Sequence, residues 1–312
     1  MRNNISKKKK TGVVLMTYGS ATVAENVPAY FERIYHGKAS RELVRDFEDR
    51  YRLVGHSPLI EITAQQAALL QKQLGSKYVV VSGMRHSDPF IETAVRACKK
   101  AGAKRIVGII LSPQFSAFIM DGYRTAFLDA ARKSGYQDNE AIVADPWPAE
   151  KHFIALTAKR VETSLVKLKR LHGKRVPVVF TTHSLPERVV KDDPTYLKQL
   201  KTTAEAVVKR IDDASLKWYT GYQSAGHTPE SWLKPDLTDI LARLKKAGHT
   251  AVLIAPIQFL ADHLEILYDL DRAGAQQCAE HGMSYHRIPL PNTDPLFIKA
   301  LAAVAKTTER SF

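Results

Sequence analysis

Two short segments in the second half of the chain carry residues able to handle a cation and protons together. They are Thr181-Thr182-His183-Ser184-Leu185-Pro186-Glu187 and Asp262-His263-Leu264-Glu265-Ile266-Leu267-Tyr268-Asp269. Neutral imidazole binds transition metals and accepts a proton near pH 7. Carboxylates supply compensating charge, and Glu265 and Asp269 stand at the spacing of four that shares one helix face. Asp262 and Glu265 fall in the first turn of that expected helix, where the helix dipole favours anions. Taken alone, a strand-end histidine is more often structural and a carboxylate row more often a solvated face. Their pairing at equivalent places gives the chemical reading its weight.

Those places are set by the elements before them. Each segment follows an apolar, β-branched run, Val176 to Phe180 and Ala251 to Leu260. Both therefore lie at the C-terminal edge of buried strands, where open parallel α/β sheets bind ligands. Tyr18 ends the first strand-like run, and a phenol oxygen there can act as an axial ligand opposite a cationic centre. Arg85 and His86 follow another strand and face the same edge. Arg50, Tyr51, Ser57, Tyr123 and Trp232 are individually weak signals.

Strand-like runs alternate with helical patterns along the whole chain. The strands are expected at Gly12–Met16, Tyr78–Ser82, Ile106–Leu111 and Ala141–Val143. A second set is expected at Val176–Thr181, Trp218–Gly221, Val252–Pro256 and Ser284–Ile288. A stretch such as Ile62 to Leu74 places Ile62, Ala67, Leu70 and Leu74 on one helical face. This alternation implies βαβ units and mainly parallel sheets. The halves echo each other: Thr17-Tyr18-Gly19-Ser20 answers Thr182-His183-Ser184, and Ser112-Pro113-Gln114-Phe115 answers Pro256-Ile257-Gln258-Phe259. The expected architecture is two similar doubly wound, Rossmann-like domains, 11–172 and 173–293, with the active-site cleft between them. The join falls near His172-Gly173-Lys174, and 294–312 forms a C-terminal helix.

Composition narrows the function classes. The 312 residues carry 46 Lys+Arg against 32 Asp+Glu, a net charge of +14. That surplus suits an anionic partner. No basic stripe with interleaved aromatics and no zinc finger occurs, so nucleic acid is not expected. No apolar run is long enough to span a bilayer. Met1 to Lys10, which includes the run Lys7–Lys10, lacks the apolar stretch of a secretory signal, so a cytoplasmic protein is expected. Two isolated cysteines, Cys98 and Cys278, cannot supply a four-thiolate site or an iron–sulfur cluster. GxGxxG, Walker A, GxSxG and HExxH are all missing from the sequence, which disfavours nucleotide, hydrolase and zincin chemistry.

In family order, the chain resembles the ferrochelatases, in particular the soluble bacterial coproporphyrin ferrochelatases. The matching stretches are Met16-Thr17-Tyr18-Gly19, Arg50-Tyr51, Ser57-Pro58-Leu59, Arg85-His86-Ser87-Asp88-Pro89-Phe90 and Ser112-Pro113-Gln114-Phe115-Ser116. They continue with Thr182-His183-Ser184-Leu185-Pro186, Gly221-Tyr222-Gln223-Ser224 and the Asp262–Asp269 segment. The resemblance implies insertion of ferrous iron, a substrate and not a prosthetic group, into a porphyrin held between the domains. It makes His183 and Glu265 the catalytic metal-site pair and sets Tyr18 on the other side of the macrocycle. It gives Tyr35, Arg50, Tyr51, Ser57 and Tyr123 porphyrin contacts. Asp262, His263, Asp269, Arg85, His86 and Trp232 become proton-relay or secondary residues. It further implies a monomer, and a last helix able to pack back on the first domain.

Two departures stand out. Tyr35-His36 occupies the place of an expected basic pair. The acidic row stops at Asp269, with Ala273 where a further carboxylate is expected and Arg272 beside it, a charge expected to repel an outer cation. Coproporphyrin III is the expected substrate, with protoporphyrin IX as the alternative. A cobalt or nickel chelatase for a sirohydrochlorin-type ring is a rival reading, disfavoured because such enzymes rely on two histidines where Glu265 stands here. A non-enzymatic tetrapyrrole carrier is another, disfavoured because a carrier needs no row of carboxylates.

Overall fold

The structure is a computed structural model that describes residues 10–173, 175–226 and 228–312. Lys7–Lys9 of the lysine run, and Lys174 at the expected join, lie outside the described residues. The strands are β1 (Lys10–Thr17), β2 (Tyr78–Met84), β3 (Ala103–Ile110), β4 (Ala141–Val143), β5 (Val178–His183), β6 (Trp218–Gln223), β7 (Ala251–Pro256) and β8 (Ser284–Arg287). The first helices are α1 (Val27–Tyr35), α2 (Arg41–Val54), α3 (Leu59–Leu74), α4 (Ile91–Lys100), α5 (Ala117–Lys133) and α6 (Lys151–His172). They are followed by α7 (Glu187–Asp192), α8 (Thr195–Ile211), α9 (Leu237–Lys246), α10 (Ala275–Glu280) and α11 (Pro295–Glu309). None of the described helices is long and apolar enough to cross a membrane.

Each of the eight strands expected from the sequence is present, β4 with the expected ends and the others with shifted ones. β3 begins at Ala103, ahead of the expected Ile106, and the exposed Lys104 and Arg105 at its start give the pattern no apolar signal there. β5 begins after Pro177, which has no N–H to give to a ladder. All strand pairs are parallel, in the orders β2-β1-β3-β4 and β6-β5-β7-β8. The two orders are the same, so β1 and β5 occupy equivalent central places. In each sheet the chain leaves this strand toward one neighbour and later returns on its other side. That reversal opens a crevice at the strand tips.

One apolar core joins the halves. Val13, Leu15 and Val107 from the first sheet share it with Val178, Phe180 and Leu253 from the second, and with Phe297 and Leu301 of α11. α11 packs on α3, α6 and β3, and Glu309 near its end accepts hydroxyl hydrogen bonds from Thr11 and Tyr78, both at 2.5 Å. Two further cores cover the outer faces, one under α4 and α5 and one under α9 and α10. The face expected on α3 is only partly right. Ala67 and Leu70 are buried, but Ile62 and Leu74 are only half-covered. Gln66 is fully buried instead, because its amide donates to the Asn292 carbonyl at 2.9 Å. α1 and α2 close over the tips, packing Phe31, Tyr30 and Tyr51 against Leu264 and Tyr268.

Candidate functional site

His183 is the last residue of β5, and its backbone is held on both sides. Its N–H donates to Gln258 Oε1 at 2.8 Å, and its carbonyl accepts from Tyr196 Oη at 2.8 Å. The turn beyond is fixed by the Ser184 N–H, which donates to the Gln223 carbonyl at 2.7 Å. His183 Nδ1 lies 2.5 Å from the Ser184 carbonyl. A carbonyl only accepts, so Nδ1 carries the hydrogen and the neutral ring presents a bare Nε2. His263 repeats the arrangement, with Nδ1 2.9 Å from the Ala261 carbonyl. Both Nε2 atoms face one carboxylate oxygen: His183 Nε2 is 3.7 Å, and His263 Nε2 3.8 Å, from Glu265 Oε2. Burial lowers the His263 pKa, but the facing Glu265 carboxylate outweighs it and raises it, because two lone pairs and an anionic oxygen repel one another while both rings are neutral. A proton or a metal cation among them relieves the repulsion. His183 and Glu265 keep 27% and 39% side-chain exposure and so are open to the cleft, whereas His263 stands behind them at 13%.

The segment after Glu265 is not the α-helix expected. Residues 266–274 wind as a π-helix, which continues into α10. Such winding is rare and is found mostly at functional sites. Its wider turn stacks residues four and five apart, so Glu265 and Asp269 still share a face. Burial tends to raise the Glu265 carboxyl, but the facing His263 and the positive potential of His183 and Arg50 outweigh it and hold it at about 2. Asp269 moves the other way. Burial and the Glu265 charge raise it, against the Ser224 hydroxyl, which donates to Asp269 Oδ2, and against Arg50 and His183. Neighbouring carboxyls pushed apart in this way suit one permanent anion and one proton carrier.

Asp262 does not join the row. It precedes the helix, and its carboxylate accepts from Asn292 Nδ2 at 2.7 Å and lies 3.5 Å from Arg287 Nη2. Arg272 also departs from expectation. Its Nη1 donates to the Leu53 carbonyl at the end of α2, at 2.6 Å, because that helix end offers an unsatisfied acceptor. Its guanidinium is thereby held against the end of α2.

The first half lines the same cleft. Tyr18 follows β1, is 41% exposed, and has its ring 4.5 Å from that of His86. The turn after it requires glycine: Gly19 has φ +94°, and a Cβ there would meet Ser87 Oγ at 2.1 Å. Tyr51 and Ser57 turn inward. They are 2% and 1% exposed and join Ser20 in a hydroxyl network, in which Tyr51 Oη donates to the Ala21 carbonyl at 2.7 Å. In this structure they support the Tyr18 turn. Arg50 is also engaged, 2.8 Å from Asp46 and 3.6 Å from Asp269, with its guanidinium over the rings of Phe47 and Tyr268. Tyr123 is buried beneath the Arg85 guanidinium. Tyr35 is exposed and packs on Phe31, and His36 caps α1 in the left-handed region. Trp232 lies with its ring 6.5 Å from that of His183. Burial raises the phenols of Tyr18, Tyr35, Tyr51 and Tyr123, and the Glu265 charge adds to each shift.

Sequence reasoning missed Gln258, Tyr196 and Ser224 as supports. Gln258 and Ser224 stand in strand-tip segments that the sequence did mark, but nothing in the pattern says which group each side chain would hold. Tyr196 sits on α8, and it carries no signal besides its buried polar atom.

A relative named coproporphyrin III ferrochelatase from Geobacillus sp. (strain WCH70) is 37% identical over 306 residues, covering 95% of this chain and 97% of that protein. One of the same name from Oceanobacillus iheyensis is 34% identical, covering 98% and 99%. Among solved structures, "SirB from Bacillus subtilis with Fe3+" superposes with a TM-score of 0.60 at 15% identity, over 96% of this chain and 95% of that one. That likeness shows the fold. The model of the family described as Ferrochelatase matches residues 10–309, and the chain belongs to that family.

Proposed function

We propose that this chain inserts ferrous iron into coproporphyrin III in heme synthesis. The observation that carries the reading is the convergence of His183 Nε2 and His263 Nε2 on Glu265 Oε2. Incorporation of Fe(II) requires two pyrrole nitrogens to give up their protons. A bare His183 Nε2 accepts a proton or passes the metal to the ring, and ionised Glu265 balances the charge. Asp269, with its raised affinity for protons, carries them from Glu265 toward solvent past Ser224. Tyr18 bounds the macrocycle from the first half, and Ile34, Leu59 and Trp232 supply apolar wall. A site that favours a puckered ring lowers the barrier to an out-of-plane metal.

The substrate assignment draws on the names of the relatives and on the surplus of +14, which suits a ring with four propionates. Cys98 and Cys278 are buried in separate cores, which supports a protein without an iron–sulfur cluster. The test is anaerobic turnover of metal-free porphyrins with Fe(II), followed by loss of free-base fluorescence. Iron-dependent conversion of coproporphyrin III, with a higher kcat/KM than for protoporphyrin IX, is expected. Absence of turnover with every porphyrin refutes the enzyme reading and leaves the carrier. Turnover of a sirohydrochlorin-type ring alone, with cobalt or nickel, supports that rival.

A further inference from the structure

Gly122 lies in the interior of α5, where glycine costs about 1 kcal/mol relative to alanine. Its reason is visible. A Cβ at 122 would fall 2.2 Å from the Arg85 guanidinium carbon, 2.2 Å from Nη1 and 2.3 Å from Nη2. The glycine leaves the space in which that guanidinium rests against the helix, and the ring of Tyr123 lies 5.8 Å below it. Arg85 emerges from the tip of β2, its N–H donating to the Thr17 carbonyl at 3.0 Å, and its charge is felt by Tyr18 and His86. So this half-buried cation is held at the wall of the cleft. The other arginines around the cleft are occupied: Arg50 by Asp46 and Asp269, Arg272 by the Leu53 carbonyl, Arg287 by Asp271, and Arg33 by the His86 carbonyl. Among the described residues, no carboxylate or carbonyl is bonded to the guanidinium of Arg85.

Resting on the porphyrin reading above, we propose that Arg85, held in place by Gly122 and Tyr123, binds a carboxylate of the substrate. A guanidinium presents a planar fork of donors that matches a carboxylate in two parallel hydrogen bonds. A neighbouring aromatic face and a close backbone restrict its rotamers, so less freedom is lost on binding. The missing partner then arrives with the ring, as one of its propionates. This differs from a relay function for Arg85, because a guanidinium stays protonated throughout.

The experiment is a binding cycle without iron and without turnover. Affinities for metal-free coproporphyrin III and for its tetramethyl ester are measured by quenching of protein fluorescence in one detergent. The proteins are the parent, Arg85→Gln and Gly122→Ala. Gly122→Ala retains the arginine and improves helix propensity, yet displaces the guanidinium, so it keeps the test valid if Arg85→Gln folds poorly. Each variant is expected to weaken the free acid about tenfold or more and the ester less than about twofold. Equal weakening of acid and ester, an unchanged affinity for the acid, or a parent that does not discriminate acid from ester overturns the proposal. A parent that binds the acid in an Arg85-dependent way but never inserts iron refutes the enzyme reading and leaves this carboxylate site standing.

Discussion

The tips of β1 and β5 occupy equivalent places in two sheets of the same strand order, yet they hold different chemistry. At the β5 tip, two imidazoles converge on a carboxylate that stays ionised, and a second carboxyl nearby has its proton affinity shifted the other way. At the β1 tip a phenol rests on a closed hydroxyl network, beside an arginine that has no acidic partner among the described residues. On the proposed reading, the first arrangement attracts a cation and moves protons, and the second attracts an anionic, planar ring. A repeated fold thus fixes where a ligand can sit, while the residues at each tip decide which charge it must carry.

The contrast can be broken from either side. The largest effect is expected from Glu265→Gln, which removes the anion between the two imidazoles. Insertion should slow by about 10²–10⁴, the range for a positioned acid–base group, and steady-state turnover with saturating porphyrin measures it. Asp269→Asn keeps the shape but not the proton. It should lower kcat by about tenfold to a hundredfold with KM little changed, since general acid–base help is lost while ring contacts remain. An unchanged kcat would remove Asp269 from the proton path.

A smaller effect tests the supports. Tyr196→Phe removes the donor to the His183 carbonyl, and loss of one such bond should cost about 1 kcal/mol in denaturant midpoint analysis. The smallest prediction lies outside both tips, where His172 at the end of α6 meets His286 of β8 with Nε2 atoms 3.0 Å apart. Burial lowers the pKa of His286, and the charges of His172 and Lys167 lower it further. Its folded value lies below the unfolded value near 6.5, so the unfolded state binds more protons in that window. Its contribution is therefore complete above pH 6.5 and declines as pH falls below it. His286→Asn should flatten the fall in Tm with acidification there, and an unaltered slope would contradict the assignment.

Much of this contrast was legible in the sequence. The eight strands show as β-branched runs, and the tips of β1, β5 and β7 stand out because polar and small residues interrupt them. Burial and hydrogen-bond direction are not legible. Tyr51 and Ser57 read as cleft contacts, but their hydroxyls pair with Ser20 below the turn. Asp262 read as part of the acidic row, but the Asn292 amide and Arg287 draw it away. Arg272 read as a hindrance to a cation, but the open carbonyl at the end of α2 captures it. Each of these placements depends on a partner distant in sequence, for which periodicity carries no information. The π-winding after Glu265 escaped for a related reason: a spacing of four fits both helix types.

The central claim is that the β5 tip handles metal and protons while the β1 tip holds the ring. The most direct measurement takes His183→Ala and determines two quantities on one preparation: the affinity for metal-free coproporphyrin III, and the rate of anaerobic iron insertion with porphyrin bound. The account predicts an affinity within about twofold of the parent and an insertion rate lower by at least about 10², as for loss of a positioned base. A near-parental rate with bound porphyrin, or a loss explained entirely by weaker porphyrin binding, contradicts it.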